Sequence, residues 1–110
     1  MLKDLKKIEF HDIGLIELNI NFSQLKIEMM IEIEFDKSTF LTFEQISLLS
    51  IKELKNLEKF YYVEIYDAEF GKVDNNYMAK FIFLLGPGMP NWELEFSFKT
   101  VKIVPRITAT

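Results

Sequence analysis

The chain has 110 residues, a net charge of −4 and no cysteine. The length fits one domain, the acidic balance disfavours nucleic acid as a partner, and the missing cysteines exclude disulfides and thiolate-bound metals. No apolar run approaches the length of a membrane helix. We therefore expect a single cytoplasmic domain, 1–110, in which residues 1–9 form a loosely ordered lead-in.

Two neighbouring segments near the N-terminus place apolar residues at every second position. They cover 16–22 and 25–35, and polar residues fill all the positions between except that of Met30. A period of two is typical of strands with one buried face, whereas a helix would scatter these residues around its circumference. The two segments predict a β-hairpin with its connection near Ser23 and Gln24.

The middle of the chain predicts a third strand followed by a helix. Residues 39–49 are rich in Phe, Thr, Ile and Leu, and their apolar side changes near Glu44, which indicates a bend. Ser50 followed three residues later by Glu53 matches a helix capping box. The sequence therefore predicts a short helix over 50–59.

The C-terminal half alternates strand-like segments with turns. Three further strands are predicted, over 60–70, 77–85 and 92–98, and residues 101–104 either continue the last one or begin a short edge strand. A polar turn is expected at 71–76, and Gly86, Pro87 and Gly88 predict a structural turn because proline cannot donate to a ladder. Pro105 is expected to end strand pairing for the same reason.

The predicted fold class is all-β, mainly antiparallel, with about six strands and one short helix. Polar residues alternate with apolar ones, so each strand has one solvent-exposed face and one apolar face that must be buried against other parts of the protein. The sequence therefore predicts a β-sandwich or a partly open β-barrel.

His11 and Asp12 are the first candidates for chemistry, because histidine is the side chain that most often exchanges protons near neutral pH. Adjacent residues of an extended chain point to opposite faces, so the pair does not automatically form a dyad. No nucleophile or set of metal ligands accompanies it. We interpret both residues as a structural turn and expect no enzymatic activity, cofactor or metal.

An acidic stripe on the second strand is the most suggestive surface. Like charges two residues apart are unfavourable unless a lysine on a neighbouring strand or a basic partner offsets them. We hypothesise that a basic protein binds this stripe, with exposed tyrosines as anchors. The predicted partner-binding residues are Glu28, Met30, Glu32, Glu34, Tyr62 and Tyr66.

A family resemblance rests on three short segments. They are Phe10-His11-Asp12, Leu41-Thr42-Phe43-Glu44 and Trp92-Glu93-Leu94-Glu95-Phe96. With these segments the chain resembles a group of small bacterial β proteins, some of which are similar to immunity proteins of polymorphic toxin systems. The resemblance covers residues 10 to about 104 and brings no catalytic role. It implies an immunity-type inhibitor.

Two other functions remain open at this point. The domain could self-associate through an unprotected sheet edge or an apolar patch, giving a homodimer. It could instead be a barrel that binds a small apolar ligand among its many phenylalanines. Neither a nucleic acid nor a membrane is expected as a partner.

Overall fold

The computed structural model describes residues 2–34, 37–52, 63–84 and 91–107. Its elements are α1 (Leu2–Lys6), β1 (Ile13–Asn21), β2 (Lys26–Glu34), β3 (Lys37–Glu44), β4 (Ser47–Lys52), β5 (Glu64–Val73), β6 (Asn76–Leu84), β7 (Asn91–Phe98) and β8 (Thr100–Ile107). The described part contains no helix long and apolar enough to cross a membrane.

All described strand pairs are antiparallel, and the strands form one sheet in the order β4-β7-β6-β5-β1-β2-β3-β8. The all-β, antiparallel prediction is confirmed. The expected number of six strands is wrong, because the strands form a single open sheet of eight, which is not a closed barrel. The number rises because the predicted strand 39–49 is divided by a bend and because residues 100–107 form a strand of their own, β8.

The bend that divides 39–49 lies where it was predicted, next to Glu44. Gln45 adopts a left-handed backbone conformation with φ 57°, and β4 begins two residues later. The Lys99 N–H donates to the Glu44 carbonyl at 3.1 Å, so the ladder of β3 with β8 leads into that of β4 with β7. At this corner two segments of the chain, from β3 to β4 and from β7 to β8, pass from one half of the sheet to the other.

The two halves of the sheet are β1-β2-β3-β8 and β5-β6-β7-β4, and among the described residues a short junction between β1 and β5 pairs them directly. That junction consists of Ile13 opposite Ile65 and Gly14 opposite Glu64. The Leu15 N–H extends it by donating to the Val63 carbonyl at 2.9 Å. The halves are therefore held together mainly by what lies between them.

Phenylalanine rings fill the space between the halves. The fully buried ones are Phe43, Phe81, Phe83, Phe96 and Phe98. They occupy alternating positions of their strands, as expected for residues that all point to one face. Burying each such ring contributes roughly 1.5–3 kcal/mol relative to leaving it in water.

The segment expected to be a loosely ordered lead-in contains the helix α1. Leu5 of this helix is fully buried, and Leu2 and Ile8 pack against the same core. A helix of one turn is not stable on its own. The burial of Leu5 therefore explains why it forms.

Two further predictions are wrong in detail. The helix predicted over 50–59 begins inside β4, where Ser50 pairs with Glu95; residues 53–59 lie outside the described part. Pro105 does not end pairing but lies opposite Thr39 within β8. Proline is tolerated there because β8 is an end strand of the sheet, where a missing N–H leaves no bond unmade.

Candidate partner-binding surface

The outward side chains of β1, β2, β3 and β8 form rows across the sheet, and we call this surface the outer face. Its middle row contains Glu17, Met30, Phe40 and Val104. Met30 and Phe40 are half-buried, and Val104 is exposed. Met30, Phe40 and Val104, here called the apolar row, give the outer face a hydrophobic centre.

Carboxylates flank the apolar row. Glu28 is half-buried and lies between Asn19 and Thr42 in the next row, and Glu32 is exposed. Neither forms an ion pair with another residue in the described ranges. An offset by a lysine on an adjacent strand, one of the two possibilities considered for the stripe, is therefore not found at either position.

Two other acidic positions differ from these. Glu44 of β3 is bridged by the Lys102 ammonium at 3.2 Å, so its charge is compensated within the fold. Glu34 ends β2 opposite Lys37, and its side chain lies outside the described part of the structure. The described uncompensated charge of the stripe is thus that of Glu28 and Glu32.

The outward surface of the other half of the sheet is also acidic but arranged differently. Lys80 lies between Glu69 and Glu95 in one row and is 3.9 Å from the Glu93 carboxylate. Glu93 is the only one of these three glutamates that forms an ion pair among the described residues, so Glu69 and Glu95 resemble Glu28 and Glu32 in this respect. Carboxylates alone therefore do not distinguish the two halves, whereas the row of three neighbouring apolar side chains on the outer face does.

The predicted tyrosine anchors have different outcomes. Tyr66 lies at an irregularity in β5 between Ile65 and Asp67, and 46% of it is exposed. It lies beyond the β1 edge of the outer face, because Glu64 of β5 pairs with Gly14, which in turn pairs with Glu32. Tyr62, like Gly86, Pro87 and Gly88, lies outside the described residues.

His11 and Asp12 form a turn that is bonded to β5. The His11 Nδ1 lies 2.6 Å from the Tyr66 carbonyl oxygen and must carry the proton, since a carbonyl only accepts. The His11 Nε2 lies 3.1 Å from the Asp12 carboxylate, and the Asp12 N–H donates to the Ile65 carbonyl at 2.8 Å. Both side chains are largely exposed, and the bonds to the Tyr66 and Ile65 carbonyls connect the turn to β5.

Glu64 joins this cluster, and sequence reasoning missed it. Its carboxyl shares a hydrogen bond with Asp12, which raises the pKa of Glu64; partial burial and the negative charge of Asp12 raise it further, and His11 lowers it. No sequence signal identifies the pair, because the pairing of Gly14 with Glu64 depends on the tertiary fold. The cluster places two hydrogen-bonded carboxyl groups at the junction of the two halves.

Neither a metal centre nor an enclosed cavity is found in the described ranges. No group of three or more potential ligands comes together there. One open groove of about 550 Å³ lies between the N-terminal segment and β8, lined by Asp4, Ile8, Val101, Ile103 and Pro105. The candidate surface described here is an open sheet face.

No protein-family model matches the chain, and no curated protein sequence matches it.

Proposed function

We propose that this domain is a non-enzymatic protein-interaction module that binds a basic partner through its outer face. The observation that carries the proposal is the apolar row flanked by the uncompensated carboxylates of Glu28 and Glu32. Protein interfaces commonly combine an apolar centre with a polar or charged rim. Among the described residues, the outward surface of β5-β6-β7-β4 has no comparable row of three neighbouring apolar side chains.

The two parts of the surface would contribute differently to binding. Uncompensated carboxylates attract a basic protein during diffusion and orient it, which mainly raises the association rate. Burying Met30, Phe40 and Val104 would supply the hydrophobic contribution that holds the complex together. Association is therefore expected to slow as salt rises, with a smaller change in the dissociation rate.

An immunity-type inhibitor is the specific form of this proposal. The resemblance to toxin immunity proteins suggests a toxin as the basic partner and the cytoplasm as the place of binding. The acidic residues beside the apolar row support that choice of partner, because a net negative chain attracts a positively charged one. Tyr66, at the edge of the same surface, is the proposed aromatic anchor.

A pair of charge-reversed variants tests the proposal. The native protein is used as bait in a lysate of its source organism, and the captured basic protein is then titrated with each variant. Glu28→Lys with Glu32→Lys should weaken binding at least tenfold, because both changes place lysines against a basic partner. Glu69→Lys with Glu95→Lys changes the net charge by the same amount on the other half and should weaken it far less.

Each outcome has a clear meaning. Equal weakening by the two pairs would show that only the overall charge matters and would refute a site on the outer face. An unchanged affinity of the variant with Glu28→Lys and Glu32→Lys would also refute a site on the outer face. Circular dichroism of each variant verifies that the sheet is retained.

A further inference from the structure

An exposed apolar patch lies where the turn between β1 and β2 meets the start of β4. Phe22, Leu25 and Leu48 are 70%, 54% and 76% exposed, and we call these three residues the apolar corner. The Ile46 N–H donates to the Leu25 carbonyl at 3.0 Å and holds the turn against the beginning of β4. Leu48 is the most exposed large apolar residue of the described chain.

The apolar corner also contains a groove. Its volume is about 260 Å³, and its apolar lining includes Ile20, Phe22, Leu25, Ile46, Leu48 and Leu49. Protruding side chains therefore lie directly beside a recess of the same chemical character. A surface with both features is self-complementary, which is what contact around a two-fold axis requires.

The backbone at this corner is unusual for the residues it carries. Leu25 has φ 53° and Leu48 has φ 50°, a left-handed conformation that is unfavourable for leucine. An irregularity in β4 between Ser47 and Ser50 accompanies the outward position of Leu48. The isolated domain gains no burial from holding these leucines in this way, so a contact outside the chain would explain their exposure.

Charge indicates which partner fits. The segments that form the corner, 18–25 and 45–51, contain no charged residue, and the one charge in the lining of the groove is that of Lys26, although the net charge of the chain is −4. Two copies of an acidic protein repel each other least where neither carries an acidic residue. A basic protein would find no opposite charge there.

We propose that a second copy of this chain binds at the apolar corner, with Leu48 or Phe22 of each copy entering the groove of the other. The contact is separate from the outer face, so it does not depend on the proposed function. A patch of three side chains is smaller than the roughly 800 Å² per partner of a standard stable interface. The dimer is therefore expected to be weak and concentration-dependent.

Sedimentation equilibrium of three proteins tests this proposal. From about 10 μM to about 1 mM, where weak interfaces associate, the average mass of the native chain should rise from 13.0 kDa toward twice that value. Leu48→Ser should remain monomeric throughout. Val73→Ser removes an exposed apolar residue at the turn between β5 and β6 and should behave like the native chain.

Cross-linking locates the contact independently, because the native chain has no cysteine. Ser23→Cys, in the turn between Phe22 and Leu25, should form a disulfide-linked dimer under oxidation, whereas Asn75→Cys should not. High salt should leave the association unchanged or strengthen it, since no charges attract across the corner.

Three results would overturn the proposal. They are a native chain that stays monomeric at the highest concentration, equal association of the Leu48→Ser and Val73→Ser variants, and Leu48-dependent binding of a monomer to phosphatidylcholine vesicles.

Discussion

The ring of Phe43 in β3 lies 6.1 Å from the ring of Phe81 in β6, edge to face, although the two strands are not neighbours in the sheet. Phe43 also contacts the rings of Phe96 and Phe98 at 5.0 and 4.9 Å. Edge-to-face pairs of this kind contribute roughly 0.5–1.5 kcal/mol beyond the area they bury. Phe43 therefore connects the two halves of the sheet through side chains.

Replacing Phe43 by alanine should lower the free energy of unfolding by about 3–5 kcal/mol, because it removes a buried ring and leaves a cavity. Urea unfolding measures this through Trp92, the only tryptophan, which is buried and stacked on Phe83 at 4.4 Å. Phe22→Ala removes a ring that is 70% exposed and should change the value by less than about 0.5 kcal/mol. Similar losses in both variants would refute a central role for Phe43.

Replacing His11 by alanine should destabilise the fold by about 0.5–1.5 kcal/mol, the usual contribution of one hydrogen bond. The lost bond is that between the His11 Nδ1 and the Tyr66 carbonyl. His11→Asn retains a donor at a similar position and should recover part of the loss. If alanine and asparagine gave equal stability, the bond would contribute nothing.

Glu64 should make the stability depend on pH in a particular direction. Its pKa is raised in the folded protein, so on acidification the native state binds a proton before the unfolded chain does. Ionised Glu64 therefore lowers the stability of the fold at neutral pH. This destabilisation decreases as the pH falls through the pKa that Glu64 has in the folded protein.

Glu64→Gln removes this effect. The variant should be more stable than the native chain at neutral pH, and the difference should shrink as the pH falls through the raised pKa of Glu64. Urea unfolding at a series of pH values provides the measurement, and Glu69→Gln on the same strand serves as the control. A difference independent of pH would contradict the raised pKa of Glu64.

Replacing Gln45 by glycine should leave stability unchanged or raise it by up to about 1 kcal/mol. Glycine adopts the left-handed conformation of Gln45 without steric cost, which outweighs its larger entropy in the unfolded chain. Thr42→Gly, at a regular position of β3, should instead destabilise by about 0.5–1 kcal/mol. Thermal unfolding of the two variants gives the comparison, and equal destabilisation would show that the bend does not depend on the left-handed residue.

The strands could be predicted because their signal is local. The alternation from Leu25 to Phe35 requires only that one face be buried, and β2 follows it closely. The capping box at Ser50 wrongly predicted a helix, because the structure at this position is decided by distant residues and not by local ones. The pairing of Ser50 with Glu95 and of Lys52 with Glu93 is formed by a distant part of the chain, and it overrides a weak local preference.

The candidate surface was predictable to a similar extent. A period of two places Glu28, Met30 and Glu32 on one side of β2 from sequence alone. Whether their charges are offset depends on which residues of β1 and β3 lie opposite them, and that requires the register. The apolar row could not be predicted, because it combines Met30 with Phe40 and Val104 from different strands.

The short junction between β1 and β5 has a consequence for how the domain assembles and opens. The hairpins of β1 with β2 and of β5 with β6 close short loops, whereas pairing residue 13 with residue 65 must close a long one for only two pairs of residues. This junction should therefore form late in folding. It should also open first in the native protein, so that the amide protons of Asp12 and Leu15, which bond across it, exchange with solvent sooner than those inside β2.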